Sequence, residues 1–321
     1  MKTSLKKALK TFLPIGLGVF LVWYSYHNTS PADREQILKY IREADLFWVA
    51  ISVAIGILSH ISRAIRWNYL LEPLGYRPKI VNNVLMILLA YFANLGIPRS
   101  GEILRATALA TYENVPFEKG FGTIVTERVI DLIMLLLIIG ITLFLQTDII
   151  LGFLQDKGFN FTGILVLLGI GIIFLVLFVI FIKRSPSTFA HKLKNFILGL
   201  LDGLFSIFKM RYKWFFLFHT LFIWGAYILM FWVIKYTVLE TVGLSLGEIL
   251  VAFVGGAFAM STTNGGIGLY PIAVSKSLAI FGISAVSGDA FGWIMWIAQT
   301  LMVVLFGAIS FLVLPLLNRN R

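Results

Sequence analysis

Apolar stretches long enough to cross a lipid bilayer recur from one end of this chain to the other, and they decide its fold class before any motif is considered. A hydrocarbon layer ~30 Å thick needs about 20 helical residues at ~1.5 Å each. Runs of that kind fill residues 11–27, 46–66, 122–146, 161–182, 214–238 and 290–316. Only 13% of the residues are charged, about half the roughly 25% of a soluble domain. Backbone polar groups inside lipid must bond internally, and spans of this length do so as helices. The expectation is an all-α polytopic membrane protein of the cell inner membrane with six firm transmembrane helices, forming a single domain over residues 1–321.

The basic residues explain their own placement. A net charge of +11 points to nucleic acid in a soluble protein, but here lysines and arginines sit in short loops between spans, where they set orientation. No nucleic-acid partner is expected. Lys2, Lys6, Lys7 and Lys10 precede the first span, and no small-residue cleavage site follows it, so a retained first helix with a cytoplasmic start is expected. Segments 63–79 and 183–213 and the end of the chain are rich in Lys and Arg and read as cytoplasmic, whereas 28–45 and 147–160 read as external.

That assignment forces two detours. Segment 63–79 is cytoplasmic and 147–160 external with one firm span before it, so residues 80–121 must enter the membrane and return. By the same parity, 245–284 enters and returns from the external side. The two re-entrant or helical hairpins, each flanked by two spans, run in opposite senses and form an inverted-topology repeat. That arrangement is expected of transporters whose interrupted helices meet near the bilayer midplane. The divisions are 1–45 for the first helix and an external segment, 46–146 for the first repeat, 147–213 for a connector with one span, and 214–316 for the second repeat. In the connector, residues 189–208 place apolar side chains at helical spacing beside Lys192 and Lys194, reading as a membrane-surface amphipathic helix.

The chemistry gathers at the hairpin turns. The first turns at Asn94-Leu95-Gly96-Ile97-Pro98-Arg99-Ser100-Gly101-Glu102, with Pro98 placed to begin the next helix. Arg99, Glu102 and Arg105 then recur every three residues along one helical stripe. One carboxylate between two guanidinium groups leaves net positive charge, which suits a phosphate held by bidentate donors. The following span carries Glu127, Arg128 and Asp131 before a charge-free run from Leu132 to Phe144. Each ion near mid-membrane costs on the order of 3 kcal/mol on insertion scales, so the trio is expected to face Arg99 and Arg105 rather than lipid. A bland reading competes, in which the cluster is an interfacial charge network that fixes two helices.

The second hairpin turns at Ser261-Thr262-Thr263-Asn264-Gly265-Gly266-Ile267-Gly268. Amides at the start of the returning helix, the threonine hydroxyls and Asn264 are candidate anion donors. The competing reading is a tight turn that lets helices pack closely. Lys276 either strengthens the anion site or snorkels to the interface, and Asp289 reads as a cap of the last helix. Arg63 and Arg66, with Trp67, read as an orientation anchor at the end of the second span, or as a headgroup-binding pair. The four histidines show no metal-ligand spacing, no enzymatic motif is present, and no cofactor or metal is expected.

Taken in order, Arg63-x-x-Arg66-Trp67, Asn94, Pro98-Arg99-x-Gly101-Glu102-x-x-Arg105, Glu127-Arg128-x-x-Asp131 and Gly265-Gly266-Ile267-Gly268 resemble the integral-membrane domain of lysylphosphatidylglycerol synthases over residues 40–316. In two-part members that domain is understood to flip aminoacylated phospholipid between leaflets, while a separate soluble domain transfers the amino acid from tRNA. The resemblance implies a stand-alone flippase without synthase activity, since no soluble domain follows Arg321. It departs from the pattern where the family has Pro before the first Gly and Glu three positions after the last. Here Asn264 and Pro271 occupy those places. The expected partners are membrane phospholipids or a lipid-linked anion. The alternatives are a membrane transferase using Glu102, Glu127 or Asp131 as base, and a scaffold for a separate soluble or membrane synthase.

Overall fold

A computed structural model describes residues 16–149 and 210–319, with scattered helical positions between 152 and 181. The span expected at 161–182 falls largely outside the described residues, as do the 189–208 amphipathic segment and most of the 147–160 loop. The chain divides into two compact units, Met1–Val125 with Trp214–Arg321, and Thr126–Lys213. Each is described by itself.

All described regular structure is helical. Helix α1 covers residues 16–28. Short α2, Pro31–Arg42, starts at a Ser30 cap with proline at its first position. Helix α3, Leu46–Leu71, is capped by Asp45. Then come α4, Ile80–Gly96, α5, Ser100–Glu113, and α6, Phe117–Leu145, which begins about a turn earlier than its hydropathy suggests because Glu118 and Lys119 dilute the apolar signal. After the connector, α7 covers Lys213–Ile234. Helix α8, Leu246–Thr262, opens on a capping box between Ser245 and Glu248. Helix α9 covers Leu269–Ala279 and α10 covers Ala285–Leu317.

Four of these stretches, Leu46–Leu74, Phe117–Leu145, Lys213–Thr237 and Ala285–Leu317, are long and apolar enough to cross a membrane. The protein is an all-α, multi-pass membrane protein. The hairpin helices are shorter. Helices α4 and α8 have 17 residues each, α5 has 14 and α9 has 11, so at ~1.5 Å per residue none exceeds about 26 Å.

In the first unit α10 serves as a ruler, since 33 residues make it ~50 Å long. At its C-terminal end Asn318 exchanges hydrogen bonds with Asn82 at the start of α4 (3.0 and 3.1 Å), and Asn82 also donates to Glu113 at the end of α5. Both bases of the first hairpin therefore sit at this end. At the other end Glu240, just before α8, accepts from the Ser284 amide (2.8 Å) and hydroxyl (2.6 Å), and Ser275 of α9 donates to the Ala285 carbonyl (3.3 Å). Both bases of the second hairpin sit there. The hairpins thus enter from opposite ends of α10.

Glycines let the helices touch. A Cβ on Gly101 would lie 2.1 Å from the Ala90 carbonyl oxygen, so the two legs of the first hairpin meet backbone to backbone. Gly255 and Gly256 face Ser277 and Tyr270 of the returning leg, and Gly292 of α10 faces Pro271.

Candidate functional site

At the first tip the helix does not restart at Pro98 as the sequence suggests. Arg99 adopts a left-handed conformation (φ 61°) and α5 begins at Ser100. The turn is held by Asn94, whose Oδ1 accepts from the Gly101 amide (2.7 Å), while its Nδ2 approaches Glu102 Oε2 (3.4 Å). Ser100 donates to the carbonyls of Ala93 (3.1 Å) and Ile97 (2.8 Å). Arg99 consequently leaves the helical stripe expected of it and lies exposed on the tip, while Glu102 and Arg105 remain one turn apart on α5. A left-handed arginine costs roughly 1 to 2 kcal/mol relative to glycine, the kind of local strain that gathers at functional sites.

At the second tip Gly265 (φ 62°), Gly266 (φ 76°) and Gly268 (φ 73°) take conformations that disfavour any side chain. Much of this turn is packed rather than open. A Cβ on Gly268 would lie 2.5 Å from the Gly18 carbonyl oxygen of α1, and one on Gly266 would lie 2.7 Å from Met260 Sδ. Thr263, Thr262 and Ser261 donate their hydroxyl hydrogens back to the carbonyls of Ala259, Phe258 and Ala257. Lys276 is exposed in the last turn of α9, eight residues beyond Gly268 and next to Asp289. The structure does not bring it to the tip. Ser284, not Asp289, caps α10.

The two tips meet. Asn264 Nδ2 donates to the Leu95 carbonyl (2.6 Å) and approaches that of Gly96 (3.5 Å), and a Cβ on Gly265 would touch Leu95. Trp296 Nε1 of α10 donates to the Gly265 carbonyl (2.8 Å). Trp296 lies eleven residues into α10, or ~17 Å, which puts the junction deep along the longest of the described apolar helices.

Beside the first hairpin lies a buried cationic group, for which the sequence offers either an orientation anchor or a headgroup-binding pair. Helix α3 continues past Arg63 and Arg66 to Leu71, and both are enclosed in protein, 2% and 0% exposed, as is Trp67 at 0%. Arg63 donates to the Tyr227 hydroxyl (3.1 Å) and Arg66 to the Thr220 hydroxyl (3.3 Å) of α7. Arg105, 2% exposed, stacks its guanidinium 3.7 Å from the centre of the Trp67 ring, worth about 2 kcal/mol or more when desolvated. The indole is fixed in turn by Nε1 donating to Thr123 (2.9 Å). Ser62 and His219 share a 2.7 Å hydrogen bond. Thr220, Tyr227 and His219 are not singled out as site residues by the sequence. Their signal was a polar or aromatic side chain once per turn or two on the facing sides of α3 and α7.

Glu127, Arg128 and Asp131 belong to the second unit. On α6, Glu127 is fully buried, Asp131 is 9% exposed, and Arg128 Nη1 lies 3.6 Å from Asp131 Oδ2 across one helical turn.

A family model for the transmembrane region of lysylphosphatidylglycerol synthases matches residues 11–307. The chain is 31% identical to a glycosyltransferase, AglD, of Haloferax volcanii over 35% of its own length and 18% of that protein's. It is 27% identical to a UPF0104 membrane protein of Methanocaldococcus jannaschii over 48% of its length and 44% of the relative's. A UPF0104 membrane protein of Pyrococcus horikoshii is 22% identical over 87% of this chain and 88% of the relative. The chain thus spans less than half the length of the first two relatives. No solved structure matches.

Proposed function

Since the chain belongs to the lysylphosphatidylglycerol synthase transmembrane-region family, we propose that it moves a phospholipid or lipid-linked anion between the leaflets of the inner membrane. One observation carries this reading: two broken-helix hairpins come from opposite ends of α10 and touch tip to tip through Asn264 and Leu95. Interrupted helices are tolerated in lipid only where protein or a wet cavity receives the freed backbone, and opposed hairpins meeting at depth are the architecture of alternating access. In this reading the hairpins are re-entrant, six helices span the membrane, both termini are cytoplasmic, and residues 46–146 and 214–316 are an inverted pair.

The roles follow from charge. In the first unit Arg99 and Arg105 are the candidate phosphate binders, Arg63 and Arg66 candidate headgroup binders, and Glu102 a balancing charge or proton carrier; in the second unit Arg128 has the first role and Glu127 and Asp131 the last. Asn94, Thr263, Asn264, Gly265, Gly266 and Gly268 form the two meeting tips, so their part is to shape and gate the site, while Lys276 lies apart and has no direct role. Full-length protein in vesicles containing acyl-labelled fluorescent phosphatidylglycerol tests the proposal. Arg99→Ala and Glu127→Ala are expected to abolish label transfer while remaining folded. Wild-type rates in both variants overturn the assignment.

The partial similarity to a glycosyltransferase favours one other reading, a membrane-embedded transferase acting on a lipid-linked saccharide with Glu102, Glu127 or Asp131 as base. It requires product formation by the purified chain supplied with a lipid-linked sugar.

A further inference from the structure

Helix α1 is held to its unit at one place along its length and hinged at another. Of its described residues only Gly18 is buried, while Leu17, Val19, Phe20, Trp23 and Tyr24 are all exposed, so that in a membrane they face lipid. The place of contact is the second tip. A Cβ on Gly18 would lie 3.0 Å from Ile267 Cβ, and one on Gly268 would lie 2.5 Å from the Gly18 carbonyl oxygen and 2.9 Å from the Val22 amide nitrogen. Two glycines thus bring α1 and the turn together backbone to backbone. Gly18 lies ten residues from the end of α1, or ~15 Å, close to the ~17 Å between Trp296 and the start of α10.

The other end of α1 runs into α2 through Thr29 and Ser30 alone. Pro31 restricts Ser30 to an extended backbone (φ −62°, ψ 154°), which leaves Thr29 to absorb changes of angle. Beyond this elbow α2 is an anchor, since it packs against α10 and buries Ile37. The angle between α1 and α2 is not filled. A cavity of about 570 Å³ lies there, lined by Tyr26 of α1 and by Arg34, Leu38, Lys39 and Arg42 of α2. The Arg34 guanidinium lies 4.2 Å from the centre of the Tyr26 ring and links the two helices. Its Nε is buried without a hydrogen-bond partner, and a donor in that state gains water when the ring moves away. Stacking therefore holds the elbow closed while an unmet donor favours its opening.

We infer that α1 is a lateral gate for the junction of the hairpins, swinging about Thr29 and Ser30 so that its Gly18 to Val22 turn alternately covers the second tip and leaves it open to the bilayer. The inference rests on the transport reading above and adds the way a guest enters. A lipid that brings its headgroup to the junction keeps its acyl chains in the hydrocarbon, so it needs an opening on a side that faces lipid. Towards α4 and α10 the second tip is fixed by the hydrogen bonds of Asn264 and Trp296, whereas its described contact with α1 is packing between glycines. Packing of that kind separates without leaving a polar group unpaired. The α1 side is the one that opens.

The chain has no cysteine, so a Gly18→Cys, Ile267→Cys pair can be closed and reopened within one full-length protein. In vesicles of phosphatidylcholine, transfer of acyl-labelled phosphatidylglycerol is expected to fall at least about tenfold when the bridge is oxidised, as for a locked lid, and to return on reduction. An undiminished rate with the bridge formed overturns the gate, because a helix that only braces the turn works as well when tied to it. A second arm reads the motion without lipid transfer. Nitroxide labels on Val19→Cys and Lys276→Cys, both exposed positions, are expected to show two separations by pulsed electron resonance. Adding Tyr26→Leu, which removes the stacking on Arg34, shifts population to the longer one at an unchanged melting temperature. One separation, the same with and without Tyr26→Leu, overturns the gate. No transfer by the wild type overturns the transport reading instead, and the label separations then decide by themselves whether α1 parts from the tip.

Discussion

The two hairpins have the same outline and opposite chemistry. The first carries Arg99, Glu102 and Arg105 and turns through an arginine in a left-handed conformation, held by side chains of Asn94 and Ser100. The second is uncharged at its tip and turns through three glycines in positive-φ conformations. Charge is thus concentrated on one side of the junction and conformational freedom on the other. In the proposed transport reading the first hairpin grips the guest while the second supplies a close-fitting backbone, and the division can be broken from either side.

The largest effect is expected where backbone meets backbone in the first hairpin. Gly101→Ala would drive a methyl group to 2.1 Å from the Ala90 carbonyl oxygen, costing about 3 kcal/mol or more and lowering the yield of folded protein. Gly96→Ala, with nothing within 4 Å, is the control and should melt as the wild type does. If both behave alike in a thermal unfolding assay, the close approach of α4 and α5 is wrong. Next comes Gly268→Ala, which combines a disfavoured φ with contact against Gly18. It should cost about 2 kcal/mol and expose α1 to proteolysis, and unchanged protection of α1 would detach that helix from the second tip.

Asn264→Leu removes the hydrogen bond across the junction and leaves the Leu95 carbonyl unserved, for a loss of about 1 to 2 kcal/mol. Lipid transfer should change more than stability does, and the chain's lack of cysteine makes a direct check simple: a Leu95→Cys, Gly265→Cys double variant joined by a short thiol cross-linker should stop transfer reversibly. Arg99→Gly separates the two roles of the first tip. It relieves left-handed strain and should raise stability by up to about 1 kcal/mol, yet reduce transfer of an anionic lipid at least as much as Arg99→Ala does. A variant that loses both would show that Arg99 is a structural residue.

The smallest effect concerns the base of the second hairpin. The Ser284 and Ser287 hydroxyls, with the Ser284 amide, stabilise the Glu240 carboxylate and hold its pKa below the ordinary glutamate value. A depressed folded pKa contributes stability above the unfolded pKa that is lost as pH falls through the folded one. Melting temperature in the wild type should therefore drop faster below about pH 4.5 than in Glu240→Gln. The Glu240→Gln variant should lose on the order of 1 kcal/mol or less near neutral pH, since the group is largely exposed and screened.

The sequence made the all-helical, multi-pass membrane character legible, because apolar runs of spanning length leave few other ways to satisfy the backbone. It also located both turns, since glycine and proline interrupt helices for reasons local to the chain. Helix starts were less legible. Pro98 has the φ of a first helical residue, but the helix cannot begin until Gly101 is placed against Ala90, a packing demand invisible locally. The burial of Arg63 and Arg66 is not legible in the sequence, because an arginine near the end of an apolar run ordinarily snorkels. Only contact with Thr220 and Tyr227, more than 150 residues away, reveals the interior site.

Helix α10 imposes a mechanical rule. Each hairpin is pinned to it at the base, the first through Asn82 and Asn318 and the second through Ser275 and Ala285. Any parting of the tips that keeps those pins is a swing about two fixed fulcra at opposite ends of one beam, not a slide along it. Displacement then grows with distance from the fulcrum, so the residues that travel furthest are those joined by Asn264 and overlooked by Trp296.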